Sequence, residues 1–154
     1  MENSMAKSFA LYSELVKSGL LKEVFSALFS SFSVAGKYLT QKGFKVSDLY
    51  KGSCDISFLS FSDEFLRERK LKISLAYIHG ENVFVLWLLG QNREIGESFA
   101  PLFEKSGEIY SENAVWGKVV CQNPDFSAFA ALAAELCTRC ESFAEECRGI
   151  LDRK

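Results

Sequence analysis

The sequence predicts an α+β fold, and three observations carry that reading. Apolar residues recur at helical spacing over roughly the first forty positions and again over roughly the last thirty. Between them lies a stretch rich in β-branched and aromatic residues. Within it, LKISLAYI and VFVLWLLG flank HGEN, the pattern of a β-hairpin. The expected architecture is an N-terminal helix pair, a mainly antiparallel sheet of about four strands, and a long C-terminal helix. The last strand is open to a parallel pairing, which would make the sheet mixed. The sheet is expected to pack between the helix pair and the C-terminal helix.

Each element has its own signal. SFALYSELVKSG sets Phe9, Tyr12, Leu15 and Val16 on one helical face and stops near Gly19. LLKEVFSALFSSFSVAGKYLTQKG continues with Leu21, Phe25, Leu28, Phe29 and Phe32, and Gly43 ends it. The pair reads as an αα-hairpin whose apolar stripe faces the core. From Phe44, FKVSDLYKGSCDISFLSFS reads as strand and ends in a Ser-Asp turn signal. In the hairpin, a two-residue II′ turn at Gly80-Glu81 sets His79 opposite Asn82 and Tyr77 opposite Phe84. One face then carries Leu71, Ile73, Leu75 and Tyr77 with Phe84, Leu86 and Leu88, and is the expected core face. The other carries Lys72, Ser74, Ala76 and Ile78 with Val83, Val85, Trp87 and Leu89. Ile56 and Phe58 are assigned to the core face, Asp55 and Ser57 to the second. After Gly90, NREIGESFAPLFEKSG reads as a helix capped by Asn92 and kinked or restarted near Pro101. AVWGKVVCQ is a further strand. The last helix, NPDFSAFAALAAELCTRCESFAEECRGIL, is given Asn123 as N-cap, Pro124 at its first position and Asp125 in its first turn.

Composition narrows the function classes. At 154 residues, the chain is long enough for one domain over 1–154 with a substantial core. A net charge of −2 weighs against nucleic-acid binding, which normally brings a clustered basic excess. No apolar run approaches the roughly 18 residues that span a bilayer, and no charged-then-apolar leader opens the sequence. Five cysteines cannot all pair within one chain, and three lie in a helical stretch, so free thiols and a cytoplasmic location are expected. No Walker loop or Rossmann glycine pattern occurs.

The most informative line is VFVLWLLGQNR. Its apolar run passes through Gly90 straight into Gln91, Asn92 and Arg93. Small or polar neighbours around an indole leave space, so Trp87 with Asp55, Ser57, Lys72 and Ser74 is a candidate cleft. Gln91, Asn92 and Arg93 would stand at its mouth beside a helix N-terminus, with Tyr50 and Lys51 entering from the neighbouring strand. The expected ligand is small and polar or anionic, and no cofactor is implied. In the plainer alternative, a helix covers Trp87, Asp55 pairs with Lys72, and Gln91 to Arg93 form a solvated cap.

Other motifs read mainly as structure. Cys137-x-x-Cys140 lies inside a helix and not at its N-terminus, where a redox pair would gain thiolate character. Zinc would need two further ligands; Cys147 and a distant Cys121 are candidates, while His79 in its hairpin turn is too far, and the structural reading is preferred. Phe126, Phe129, Ala133, Leu136, Cys140, Phe143, Cys147 and Ile150 form an apolar stripe suited to the sheet of its own chain or to a partner helix in a homodimer. His79, the sole histidine, is expected exposed in its turn. RERKLK gathers Arg67, Arg69, Lys70 and Lys72; it reads as a solvated stretch, with phosphate contact as the sharper reading.

Two resemblances follow. The order helix, three strands, helix, strand resembles the restriction-endonuclease-like (PD-(D/E)XK) core, which implies metal-bound carboxylates and a Glu-x-Lys on the third strand. Asp55 and Asp63 lie near the right region, but Val85-Leu86-Trp87 stands where Glu-x-Lys would be. The alternative function is therefore an enzyme on a divergent scaffold, with Asp55 as acid/base or metal ligand and Lys72 or Arg93 stabilising negative charge. LYKGSCDISF, RKLKISLAY, VLWLLGQNR and NPDF, in this order, are similar to an uncharacterised bacterial family known only as a domain of unknown function. Its members carry an acidic residue near the position of Val85. The resemblance covers most of the chain and implies a fold without an activity. The favoured reading is a non-catalytic ligand-binding or protein-interaction domain.

Overall fold

A computed structural model of the chain describes residues 2–103 and 114–153. Two helices, α1 (Glu2–Ser18) and α2 (Leu20–Gln41), precede the sheet. Strands β1 (Lys45–Val46), β2 (Ile56–Ser62), β3 (Leu71–Ile78), β4 (Val83–Gly90) and β5 (Ala114–Gln122) follow. Short helices α3 (Glu64–Glu68) and α4 (Arg93–Phe99) are inserted after β2 and β4, and α5 (Phe129–Leu151) closes the chain. The five strands lie in chain order, each antiparallel to its neighbour. The fold is α+β with a helix pair at the N-terminus and a long helix at the C-terminus. The sheet is antiparallel throughout, and the last strand, left open to a parallel pairing, returns antiparallel against β4.

Both long helices cover the same face of the sheet, so it is not sandwiched between them. Leu28, Phe32 and Leu39 of α2 and Leu132, Leu136, Cys140 and Phe143 of α5 share one cluster with Leu59, Ile73, Leu75, Leu86 and Leu88. Phe32 meets Phe84 edge-on at 5.7 Å, and Trp116 stacks on Phe143 at 4.8 Å. Tyr38 of α2 donates to Glu141 of α5 at 2.9 Å, tying the helices together. The α5 stripe thus faces its own sheet, and Cys140 and Cys147 are buried in it as small apolar groups. Burial pushes both thiols far above their usual range, and all five cysteines are free.

The second face carries its own cluster of Ala76, Val83, Val85 and Trp87, with Ile56, Phe58, Ile78 and Leu89 against it. Ile56 and Phe58 therefore belong to the second face, and Ser57 to the core face. The pairing Phe58↔Ala76 fixes this parity. Residues 51–55 set it up as a tight loop: Gly52 and Cys54 have left-handed φ of 72° and 65°. A Cβ on Gly52 would sit 2.0 Å from the Ile56 carbonyl oxygen, so only glycine fits.

The hairpin keeps the expected register, Tyr77↔Phe84 and Ile78↔Val83, through a different turn. Positive φ falls on Asn82 (51°) and not on Gly80, so the loop is not of type II′. Its ends are drawn to neighbouring strands: His79 N–H donates to the Asp55 carbonyl at 3.0 Å, and Asn123 N–H to the Asn82 carbonyl at 2.9 Å.

Caps explain the remaining boundaries. Asn92 accepts from Ile95 N–H and starts α4, which passes into a 3-10 turn over Ala100–Phe103 at Pro101. The rest of that expected helix lies outside the described residues. At the last helix, Asp125 and not Asn123 is the cap, accepting from Ser127 N–H at the head of a 3-10 turn over Phe126–Ala128. Asn123 instead has φ of 49° and belongs to the preceding turn. The expected burial of the first helix fails: Phe9, Tyr12 and Val16 are exposed, as is Met5, and only Leu15 of the stripe is partly buried.

Candidate anion-binding cleft

The residues expected around Trp87 are divided by the sheet itself. Trp87, Ser74 and Lys72 share the second face, and Ser74 is the direct partner of Trp87. Trp87 is 6% exposed, so its indole is a packed wall, and its Nε1 has no hydrogen-bond partner among the described residues. Ser57 lies on the opposite face. Asp55 stands before β2, separated from Lys72 by the length of that strand, roughly 20 Å. The alternative Asp55–Lys72 pair is therefore not formed.

Asp55 is occupied locally. Its Oδ1 accepts from Ser53 N–H at 2.9 Å, and backbone N–H groups of Ser53 and Ile56 hold its pKa below the ordinary carboxylate value. Ser57 is fully buried, and its Oγ lies 2.6 Å from the Lys51 carbonyl and 2.8 Å from His79 Nε2. A carbonyl only accepts, so the single hydroxyl proton points at Lys51 and Nε2 carries the proton donated to Ser57. A serine nucleophile needs the reverse polarity. The pair instead clips the 51–55 loop to the end of β3. His79 is half-buried near Phe25 of α2, not exposed, and burial lowers its pKa while the Asp55 charge opposes that shift.

Gln91, Asn92 and Arg93 divide in the same way. Gln91 N–H donates to the Lys70 carbonyl at 2.9 Å, Asn92 caps α4, and Arg93 pairs with Glu97 in an exposed bond of 2.7 Å. Such a pair contributes little. Gly90 ends the apolar run for a steric reason: a Cβ there would lie 2.5 Å from Gly96 N. Tyr50 is half-exposed, bridged to Phe58 through both backbone groups with its ring 5.0 Å from the Phe58 ring.

A different convergence appears where β1, α3 and the start of β3 meet. A cavity of about 430 Å³ is lined by Lys45, Ser60, Ser62, Arg67 and Lys72, with Phe58 as an aromatic wall. An adjoining cavity of about 350 Å³ shares Ser62, Arg67 and Lys72 and adds Lys70 and Gln91. No carboxylate lines either one. Lys45, Arg67, Lys70 and Lys72 form no ion pair among the described residues.

Local structure explains the gathering. Asp63 caps α3 by accepting from Leu66 N–H at 2.9 Å, and this one-turn helix lays Arg67 back on β2, where Nη1 donates to the Ser62 carbonyl at 3.3 Å. Lys70 takes a left-handed φ of 56°, which turns the chain into β3. Lys45 arrives opposite Ser62 on β1. Of the nearby acids, Asp63 is held by Arg148 of α5, and Glu64 and Glu68 line neither cavity. Arg69 leaves the group and covers the Phe65 ring at 3.6 Å. Below, Ser60 and Ser74 hydroxyls bond each other at 2.7 Å on a buried floor leading to Trp87. Arg67, Lys70 and Lys72 were visible in RERKLK; Lys45, Ser60 and Ser62 carried no sequence signal, because strand pairing alone brings them there.

Among the described residues no group of His, Cys, Asp and Glu is placed to hold a metal ion, and no helix is long and apolar enough to cross a membrane. No curated protein and no solved structure matches the chain, so the resemblance to restriction-endonuclease-like enzymes has no structural support. A family model described as a domain of unknown function, DUF7000, matches residues 5–151. With nearly its whole length matched, the chain belongs to the DUF7000 family.

Proposed function

We propose that this chain is a non-catalytic binding domain that takes a small anionic ligand between β1, α3 and β3. One observation carries the reading: four cations without ion-pair partners among the described residues converge on two adjoining cavities that no acid lines. All four side chains are exposed to solvent. Here a capped helix, a left-handed turn and a strand pairing bring them together. Serine hydroxyls and the Gln91 amide add neutral donors, a mix that suits phosphate or carboxylate oxygens. This local basic cluster coexists with the acidic average of the chain. The occupied Asp55 and the polarity of the Ser57–His79 bond support binding over catalysis.

The test is calorimetric titration with inorganic phosphate and pyrophosphate. A cavity of about 430 Å³, taken as a sphere, has a radius of about 5 Å. At that distance in a water-like dielectric, one cation attracts a dianion by roughly 1–2 kcal/mol. Lys72→Ala, at the junction of both cavities, is therefore expected to weaken binding about tenfold. Binding should also weaken steeply as salt rises from about 50 to about 300 mM. Equal affinity in wild type and Lys72→Ala, or indifference to salt, overturns the proposal.

A further inference from the structure

α1 is an apolar helix that its own chain does not cover. Met5, Phe9, Tyr12 and Val16 are 62, 66, 59 and 49% exposed, and none of them joins either apolar cluster of the sheet. They recur at alternating spacings of four and three, the seam of a two-helix coiled coil. Leu20 and Val24, also half-exposed, extend the open surface into α2. An isolated helix of 17 residues is marginal in water, so α1 needs a cover to be stably formed.

We infer that the cover is a second copy of the same helix, packed antiparallel about a twofold axis. An axis between Ala10 and Leu11 sets Met5 of one chain against Val16 of the other, and Phe9 against Tyr12. The seam is thus complementary to itself, as a twofold interface requires. The positions flanking it are Ala6, Ser8, Ser13 and Leu15, uncharged and mostly small, so two copies approach closely without like charges meeting. Lys7 and Glu14 lie on the far side of the helix. A helix adapted to an anionic membrane carries Lys or Arg all along the margins of its apolar face, whereas α1 has Lys17 alone there. The four seam side chains offer roughly 450–500 Å² per chain, over half of the about 800 Å² per partner of a standard interface, and the flanking Ala6, Ser8, Ser13 and Leu15 add to it. Antiparallel packing also sets the two sheet-bearing bodies at opposite ends of the helix pair.

Sedimentation equilibrium of the full chain tests this. The wild type should be a dimer, and Phe9→Lys with Tyr12→Lys should raise the dissociation constant at least about 100-fold. Lys7→Glu, outside the seam, should leave it unchanged. Met5→Ser with Val16→Ser, gentler changes at the seam ends, should weaken the same dimer if the charged pair misfolds. Far-UV circular dichroism should lose helical signal as the wild type is diluted into monomer. A wild type that stays monomeric to on the order of 100 μM overturns the inference. So does a dimer untouched by both seam pairs, or a monomer that co-sediments with phosphatidylglycerol vesicles.

Discussion

Asp63 holds two elements at once, and replacing it separates what each contributes. Its Oδ1 caps α3 through Leu66 N–H at 2.9 Å, while Oδ2 pairs with Arg148 of α5. Asp63→Ala removes both interactions; Asp63→Asn keeps a side-chain oxygen for the cap and removes the charge. Loss of the cap costs about 1 kcal/mol. The ion pair, with side chains 49% and 21% exposed, is worth about 0.5 kcal/mol at most. For a chain of this length each kcal/mol moves the midpoint by about 2–4 °C, so Asp63→Ala should lower Tm by roughly 3–6 °C and Asp63→Asn by roughly 1–2 °C. Differential scanning calorimetry reads both. In phosphate titrations Asp63→Asn should bind slightly tighter, because a negative charge beside Arg67 is gone. Asp63→Ala should bind weaker than Asp63→Asn, because Arg67 rides on the uncapped helix. Equal Tm losses in the two variants would refute the assignment of the cap. An unchanged Tm in Asp63→Ala would refute both contributions.

His79 should give the stability curve its slope near neutral pH. Burial holds its folded-state pKa below the ordinary 6.5, so the unfolded chain takes up the proton first. Its contribution is whole above about pH 6.5 and is lost as pH falls from there toward the folded-state value. Tm should decline as pH falls below about 6.5, and His79→Gln, whose amide still donates to Ser57, should flatten that decline; an identical slope in the variant counts against the assignment. Gly90→Ala forces a methyl to within 2.5 Å of Gly96 N. It should cost on the order of 2 kcal/mol in a urea unfolding curve, and a loss within experimental error would show that β4 and α4 separate easily.

Periodicity reads a face correctly where the two sides of a strand differ in chemistry. Leu71, Ile73, Leu75 and Tyr77 stood out against Lys72 and Ser74, and their assignment to the core face holds. In β2 both sides are apolar, so Ile56 and Phe58 looked like core when Leu59 and Phe61 fill that role. Both faces of the sheet bury apolar residues, Ala76, Val85 and Trp87 on the second, so residue chemistry alone does not say which face the long helices cover. α1 misled for a related reason: its amphipathic stripe is real, but a stripe does not name what it packs against. The Asn92 cap was legible because a cap is local. The basic cleft was half legible, since RERKLK is contiguous while Lys45 enters through a strand pairing decided 17 residues downstream, at Ser62. Arg69 shows the limit of such runs: its neighbour Phe65 draws it out of the cluster.

The order of the strands also governs when the core becomes dry. Each of the four strand pairings joins consecutive strands, so the sheet assembles from contacts close in sequence, the kind that form early. One bond from Tyr38 to Glu141 spans 103 residues, and with it the docking of α5 against α2 must wait until the last segment is made. Until then the part of the core face that α5 covers stays open to water, Trp116 with it, because its stacking partner Phe143 is still missing. A ribosome-bound chain that has released β5 but not α5 is therefore the species most in need of a chaperone. A chain cut after Gln122 would leave that part of the core face open to self-association.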